Sequence, residues 1–134
     1  MASNPKILLI DDDEDFRFSI RTILESKNYQ VIEAESGKQG LQKLKDENPG
    51  LIILDIMMET IDEGYSVNQI IKFQKTFEQY KDIPIIMVSS IQEDPQTRFV
   101  KAMGQVDMIT PDHYITKPVD VPRFLDLITK LLNK

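Results

Sequence analysis

Leu51-Ile52-Ile53-Leu54 is a run of large apolar residues with no polar alternation, and it constrains the fold more than any other stretch. A strand that is apolar on both faces belongs inside a parallel sheet covered by helices on each side. The run ends abruptly at Asp55, ahead of Ile56-Met57-Met58. An ionised carboxylate is expensive to bury unless it is paired or metal-bound, so Asp55 is expected just past the strand's end, in an open crevice. In open α/β sheets that end of the strands is where ligands gather. A second strand, Lys6 to Ile10, also ends in acids: Asp11, Asp12 and Asp13.

The rest of the chain alternates in the same manner. Asp11 to Asp15 reads as an acidic loop and helix start, since carboxylates favour the positive end of a helix dipole. Phe16, Ile20, Ile23 and Leu24 fall at helical spacing and predict a first helix to about Ser26. Tyr29 to Ala34 reads as the second strand. Ser36-Gly37 is a turn with a capping residue, after which Leu41 and Leu44 mark a second helix ending near Asn48-Pro49-Gly50. Beyond the opening strand, 59–64 is a polar loop, and Val67, Ile70, Ile71, Gln74 and Phe77 mark one face of a third helix. Pro84 to Ser89 is a fourth buried strand. Pro95 can open a fourth helix, with Phe99, Val100 and Met103 inward. His113 to Thr116 is a brief fifth strand. Val121, Phe124, Leu125, Ile128, Leu131 and Leu132 then form an apolar stripe on a C-terminal helix. Strand and helix alternate five times, and each connection is long enough for a crossover. The fold class is therefore α/β, a doubly wound sandwich with parallel strands and helices on both faces.

Composition narrows the function classes. The 134 residues suit one domain, 1–134, with 1–5 expected as a disordered lead-in. A net charge of −6 and a pI near 4.8 argue against nucleic acid or an anionic membrane as a direct partner. No secretory signal precedes the first strand, and no apolar run is long enough to span a bilayer. The absence of cysteine excludes disulfides, thiolate zinc sites and thiol nucleophiles, and fits a cytoplasmic setting. A single histidine, His113, excludes a multi-histidine metal site, and it is read as a surface strand residue.

If the strands are parallel, Asp11-Asp12-Asp13, Asp55, Ser89-Ser90 and Lys117 all converge on one sheet edge. Carboxylates without histidine or cysteine make a hard, oxygen-rich site suited to Mg²⁺, which takes one or two carboxylates, waters and a phosphate oxygen. An Asp carboxylate can itself be a nucleophile and form an aspartyl phosphate. A lysine ammonium and a serine hydroxyl suit the phosphoryl oxygens, because phosphoryl transfer asks mainly for positioning and electrostatics.

Four motifs in order now carry a family resemblance: Leu-Leu-Ile-Asp-Asp-Asp-Glu-Asp at 8–15, Leu-Ile-Ile-Leu-Asp-Ile-Met-Met at 51–58, Pro-Ile-Ile-Met-Val-Ser-Ser at 84–90, and Tyr-Ile-Thr-Lys-Pro-Val at 114–119. From Lys6 to Leu132 the chain resembles the receiver domain of two-component response regulators, in its single-domain form. The resemblance implies a flavodoxin-like sheet of order 2-1-3-4-5. It makes Asp55 the phosphoacceptor, Lys117 the phosphate-binding lysine, Ser89 the switch hydroxyl and Tyr114 the switch aromatic. Mg²⁺ would be held by Asp12, Asp55 and the backbone carbonyl of Met57, with Asp11 acting mainly through water. Lys117–Pro118 is expected to be cis.

Each residue also has a plainer reading. An isolated Asp at a helix start is usually a cap, and Asp13 is kept as one. Serines after a strand often cap the next element, which bears on Ser89 and Ser90. Tyr114 can be a strand aromatic packing on the fourth helix, and Lys117 a solvated lysine. Two segments depart from the family pattern. Glu59 stands where many receivers have proline, and Gly64 arrives about one residue late, so the loop after the third strand carries an insertion. The stretch from Ser89 to Lys117 is also long, with the excess around 105–112. The implied function is a phosphorylation-dependent switch rather than an enzyme, with only Mg²⁺-dependent self-phosphorylation and autodephosphorylation at Asp55. Its implied partners are a histidine kinase or phosphotransfer protein and a downstream protein met through the face of the fourth helix, fifth strand and C-terminal helix. It would act as a monomer or weak homodimer. The alternative is a degenerate receiver that works as a phosphorylation-independent binding module. An aspartate-nucleophile phosphatase is disfavoured because Met57 stands where such enzymes place their general acid. A flavin carrier is disfavoured because no Ser/Thr/Gly-rich phosphate loop follows the first strand.

Overall fold

Period-two alternation in strands that are apolar throughout sends successive side chains to opposite faces of a sheet, so such strands need cover on both sides. The computed structural model describes residues 5–55, 63–89 and 113–133 and shows this arrangement. Strands β1 (Lys6–Ile10), β2 (Gln30–Ala34), β3 (Leu51–Asp55), β4 (Ile85–Ser89) and β5 (His113–Thr116) form one sheet. Its order is β2-β1-β3-β4-β5, and every pairing is parallel. β3 lies at the centre and all its residues are buried.

The two faces have separate cores. Leu8, Ile10, Ile52, Leu54, Ile85 and Met87 pack with Leu44, Val67 and Ile71 of helices α2 (Gly37–Glu47) and α3 (Glu63–Phe73). Ile7, Leu9, Leu51, Ile53, Ile86 and Val88 pack with Ile20 and Leu24 of α1 (Glu14–Glu25) and with Phe124 and Ile128 of the C-terminal helix (Val121–Leu132). Each fully buried Leu or Ile contributes about 1.5–3 kcal/mol relative to an exposed one, so β3 alone anchors both layers.

Helix ends follow local chemistry. The Asp13 side chain accepts from the N–H groups of Asp15 and Phe16 and starts α1, as its reading as a cap requires. Ser36 accepts from Gln39 N–H and starts α2. Asp120 accepts from Arg123 N–H and starts the C-terminal helix, with Pro122 in the first turn, where a missing N–H is harmless. Asn48 closes α2 at φ 49°, in the left-handed region.

One expectation needs correction. The third helix does not run through Gln74 and Phe77. α3 stops at Phe73, Gln74 is exposed with extended backbone, and a 3₁₀ turn over Lys75–Tyr80 follows. Side chains three apart eclipse in a 3₁₀ helix, which is how Phe77 and Tyr80 both reach the core. Ahead of β1, the Pro5 carbonyl accepts from Gln30 N–H at 2.9 Å, on the β2 side of the sheet. The helix expected from Pro95, together with Met57, Met58, Glu59 and Ser90, lies outside the described residues.

One glycine is required by packing. A Cβ on Gly40 would stand 2.4 Å from Ile10 Cδ1 and 2.8 Å from Cγ1, and Ile10 is fully buried. Gly40→Ala should therefore destabilise the fold by about 1–3 kcal/mol, the usual penalty of overpacking. Urea unfolding would show it as a lower midpoint at unchanged slope. An unchanged midpoint would mean that Ile10 yields freely.

Candidate phosphoacceptor site

The sheet's carboxyl-terminal edge collects its acids through backbone register. Asp11 N–H donates to the Ala34 carbonyl at 3.0 Å, one step beyond the last β1/β2 pair, so the chain is still extended when its first acid appears. The Asp11 side chain is 1% exposed. One of its oxygens accepts from Asp13 N–H at 2.9 Å and the other accepts from Lys117 Nζ at 3.0 Å. Asp12, the next residue, is exposed.

Asp55 is the last residue of β3, opposite Val88 of β4, and it is buried. That corrects the expectation of an open crevice beyond the strand. The carboxylate stays inside because Lys117 comes to it: Nζ lies 3.9 Å from Asp55 Oδ2. Removing an ion from water is offset by a close counter-ion and further hydrogen bonds. Lys117 follows directly on β5, and its bond to Pro118 is cis, as expected.

Asp11, Asp12 and Asp55 each offer an oxygen within 4.8 Å of the others'. Among the described residues, these three carboxylates face the one ammonium of Lys117, leaving a surplus of negative charge that a dication would neutralise. All the donors are hard oxygens, the set that suits Mg²⁺ rather than a softer metal. The cluster is thus consistent with the Mg²⁺ site typical of receivers.

Ser89 ends β4 and pairs with Thr116 of β5, which puts its backbone at the same edge. Tyr114 lies on β5 opposite Met87. The side chains of Ser89 and Tyr114 lie outside the described residues, as does Met57. His113 pairs with Ile86 and is half-buried, more enclosed than a surface strand residue.

Sequence reasoning passed over two neighbours of the site. Arg17 donates from Nη1 to the Asp11 carbonyl at 2.6 Å and from Nε to Glu33 at 3.0 Å, and Glu33 is also ion-paired with Arg21. Phe16 was legible only as part of an apolar face, yet its ring centroid lies 4.2 Å from Lys117 Nζ. An arginine one turn into a helix whose cap belongs to an acidic loop, facing a glutamate on a mostly apolar strand, is the signal available for the first. Contact between Phe16 and Lys117 spans most of the chain and leaves no local signal.

A doubly wound parallel sheet carrying an acid cluster and a lysine at its carboxyl-terminal edge defines a class: flavodoxin-like α/β proteins whose strand ends gather hard oxygen donors. Residues 7–129 match the response regulator receiver domain family. The chain belongs to that family. It is 35% identical over 123 residues to Protein PilG of Pseudomonas aeruginosa, covering 92% of this chain and 84% of that protein. It is 34% identical over 129 residues to the chemotaxis protein CheY of Halobacterium salinarum, covering 96% and 97%. The crystal structure of a CheY-like response regulator receiver domain protein from Methanospirillum hungatei superposes with a TM-score of 0.76 at 28% identity, over 98% of this chain and 95% of that one. Among the described residues, no helix is long and apolar enough to cross a membrane.

Proposed function

We propose that the protein is a phosphorylation-dependent signalling switch with Asp55 as phosphoacceptor. One observation carries this reading: a buried carboxylate at a strand end, grouped with two other acids and approached by a lysine. A phosphohistidine on a kinase or phosphotransfer protein is the donor. An Asp55 oxygen forms the new P–O bond, the donor's P–N bond breaks, and its electron pair stays on the imidazole nitrogen. The product is a mixed anhydride, which water later hydrolyses to the carboxylate and inorganic phosphate.

Mg²⁺, when bound, would neutralise charge on the transferring phosphoryl oxygens. Asp12 and Asp55 would hold it together with the Met57 carbonyl. Asp11, with one oxygen engaged by Asp13 N–H and the other by Lys117, acts through water. Lys117 binds a phosphoryl oxygen, Ser89 supplies the switch hydroxyl, and Tyr114 follows it. The new charge then shifts the face of the fourth helix, β5 and the C-terminal helix between two arrangements, which a partner protein reads. An apolar groove of about 560 Å³ lies beside Lys117, lined by Phe16, Ile20, Ile23, Pro118 and Val119. The reading carries a cytoplasmic setting with it, in keeping with a chain free of cysteine.

The test is incubation with Mg²⁺ and acetyl phosphate, followed by intact mass. A single added phosphoryl group that hydroxylamine removes and EDTA prevents is expected. No added mass, or a hydroxylamine-stable adduct, would sink the reading.

Metal binding has its own expected result. Mg²⁺ held only by the folded state stabilises it by about 2.7 kcal/mol at one hundred times its dissociation constant. Asp12→Asn should remove most of that gain, while raising stability without metal by relieving repulsion among the acids. Thermal melts with and without Mg²⁺ would show both. An undiminished Mg²⁺ shift in Asp12→Asn would take Asp12 out of the site.

A further inference from the structure

We propose that Phe16 is a positioning residue for Lys117, its ring face holding the ammonium between Asp11 and Asp55 before any phosphoryl group arrives. The proposal rests on the phosphoacceptor reading and adds a residue to it. A lysine side chain is a flexible four-carbon stem ending in a compact, strongly hydrated charge, and by itself it occupies many rotamers. Here three contacts narrow that freedom: Asp11 Oδ2 at 3.0 Å, Asp55 Oδ2 at 3.9 Å and the Phe16 ring centroid at 4.2 Å. Both carboxylates belong to the acid cluster. Phe16 supplies an attraction from another residue type, through the negative face of its ring.

The ring is itself well anchored. Phe16 sits in the first turn of α1, its N–H donates to the capping carboxylate of Asp13 at 3.3 Å, and its side chain packs against the core beneath α1 and the C-terminal helix. Asp13 thereby acquires a place in the site's construction, through its backbone as well as its cap. One of its oxygens starts the helix that carries Phe16, and its N–H donates to Asp11. The Lys117 side chain is only 19% exposed, so its attraction to the ring is little screened by water. When Asp55 gains a phosphoryl group, the ammonium meets the new oxygens with a small shift instead of a search through rotamers. Preorganised charge of this sort lowers the barrier because it costs no reorganisation at the moment of reaction.

The experiment compares Phe16→Leu, which keeps an apolar side chain but removes the π face, with Phe16→Tyr, which retains it. Three quantities are read: the rate of phosphorylation by acetyl phosphate at saturating Mg²⁺, the Mg²⁺ dissociation constant, and the chemical shifts of the Lys117 ε-methylene group. Phe16→Leu should phosphorylate about threefold to tenfold more slowly, as loss of a partly desolvated cation–π contact implies. Its Mg²⁺ affinity should be unchanged, and the Lys117 ε-methylene protons should lose their ring-current upfield shift. Phe16→Tyr should keep the wild-type rate and the upfield shift. Should Phe16→Leu not fold, Phe16→Met carries the same comparison. A wild-type rate in Phe16→Leu, equal slowing in both variants, or ε-methylene shifts indifferent to the substitution would overturn the proposal. Wild-type protein that takes no phosphoryl group at all would instead overturn the phosphoacceptor reading. In that case the methylene shifts, measured on unmodified protein, still decide whether the ring holds the lysine.

Discussion

Asp55→Asn should take up no phosphoryl group from acetyl phosphate and Mg²⁺ under conditions that modify the wild type fully. The substitution replaces one oxygen by an amide nitrogen of nearly the same size and removes the nucleophile. It should not unfold the protein. A neutral amide is easier to bury than a carboxylate, and Asp55 is buried within a cluster of acids. The expected melting temperature is therefore equal to or above that of the wild type without metal. Intact mass and a thermal melt on the same sample separate loss of chemistry from loss of fold. A folded Asp55→Asn protein that still gains a phosphoryl group would move the acceptor to another residue.

Lys117→Ala should lower the phosphorylation rate by about a hundredfold to a thousandfold, the range for removing a preorganised charge from a reacting oxygen. This variant also harms the fold, since Asp11 is 1% exposed and would lose its cation. Truncating one partner of a buried pair typically costs about 3–5 kcal/mol. With Lys117 only 19% exposed, solvent screens little of the interaction, and the loss should stay near that range. Saturating Mg²⁺ should return much of the lost stability by neutralising the same carboxylates, while leaving phosphorylation slow. That split marks a role on the phosphoryl oxygens. Recovery of the rate along with the stability would reduce Lys117 to a structural counter-ion. Lys117→Arg should stabilise better than alanine yet phosphorylate poorly, since a planar fork does not occupy the place of a compact ammonium.

Much of the fold was legible because each element has a local cause. Strands that are apolar on both faces cannot be edge or surface structures, and β1, β3 and β4 carry that pattern. Capping chemistry placed the starts of α1 and α2 at Asp13 and Ser36. The third helix was misjudged because Gln74 continues a 3.6-residue spacing that the backbone abandons. Phe77 and Tyr80 reach the core from a 3₁₀ turn, and a turn with three-residue spacing leaves nearly the same short pattern. In the site, the acids at strand ends and the lysine could be named, but their engagements could not. Asp55 is buried rather than set in a crevice, and Lys117 lies closer to Asp11 than to the expected acceptor.

The sequence alone determined the doubly wound sheet, the edge on which its acids gather, and the membership of Asp11, Asp12, Asp55 and Lys117 in one site. The first two follow from residue type and short-range periodicity, and the choice of those four residues from the resemblance to receivers. Only the tertiary structure decided how that site is held: Arg17 on the Asp11 carbonyl, Glu33 on Arg17, and Phe16 beneath Lys117. Phe16 and Lys117 are far apart in sequence and meet because α1 and the end of β5 lie at the same edge of the sheet. A contact set by the packing of two elements leaves no trace in the local pattern of either.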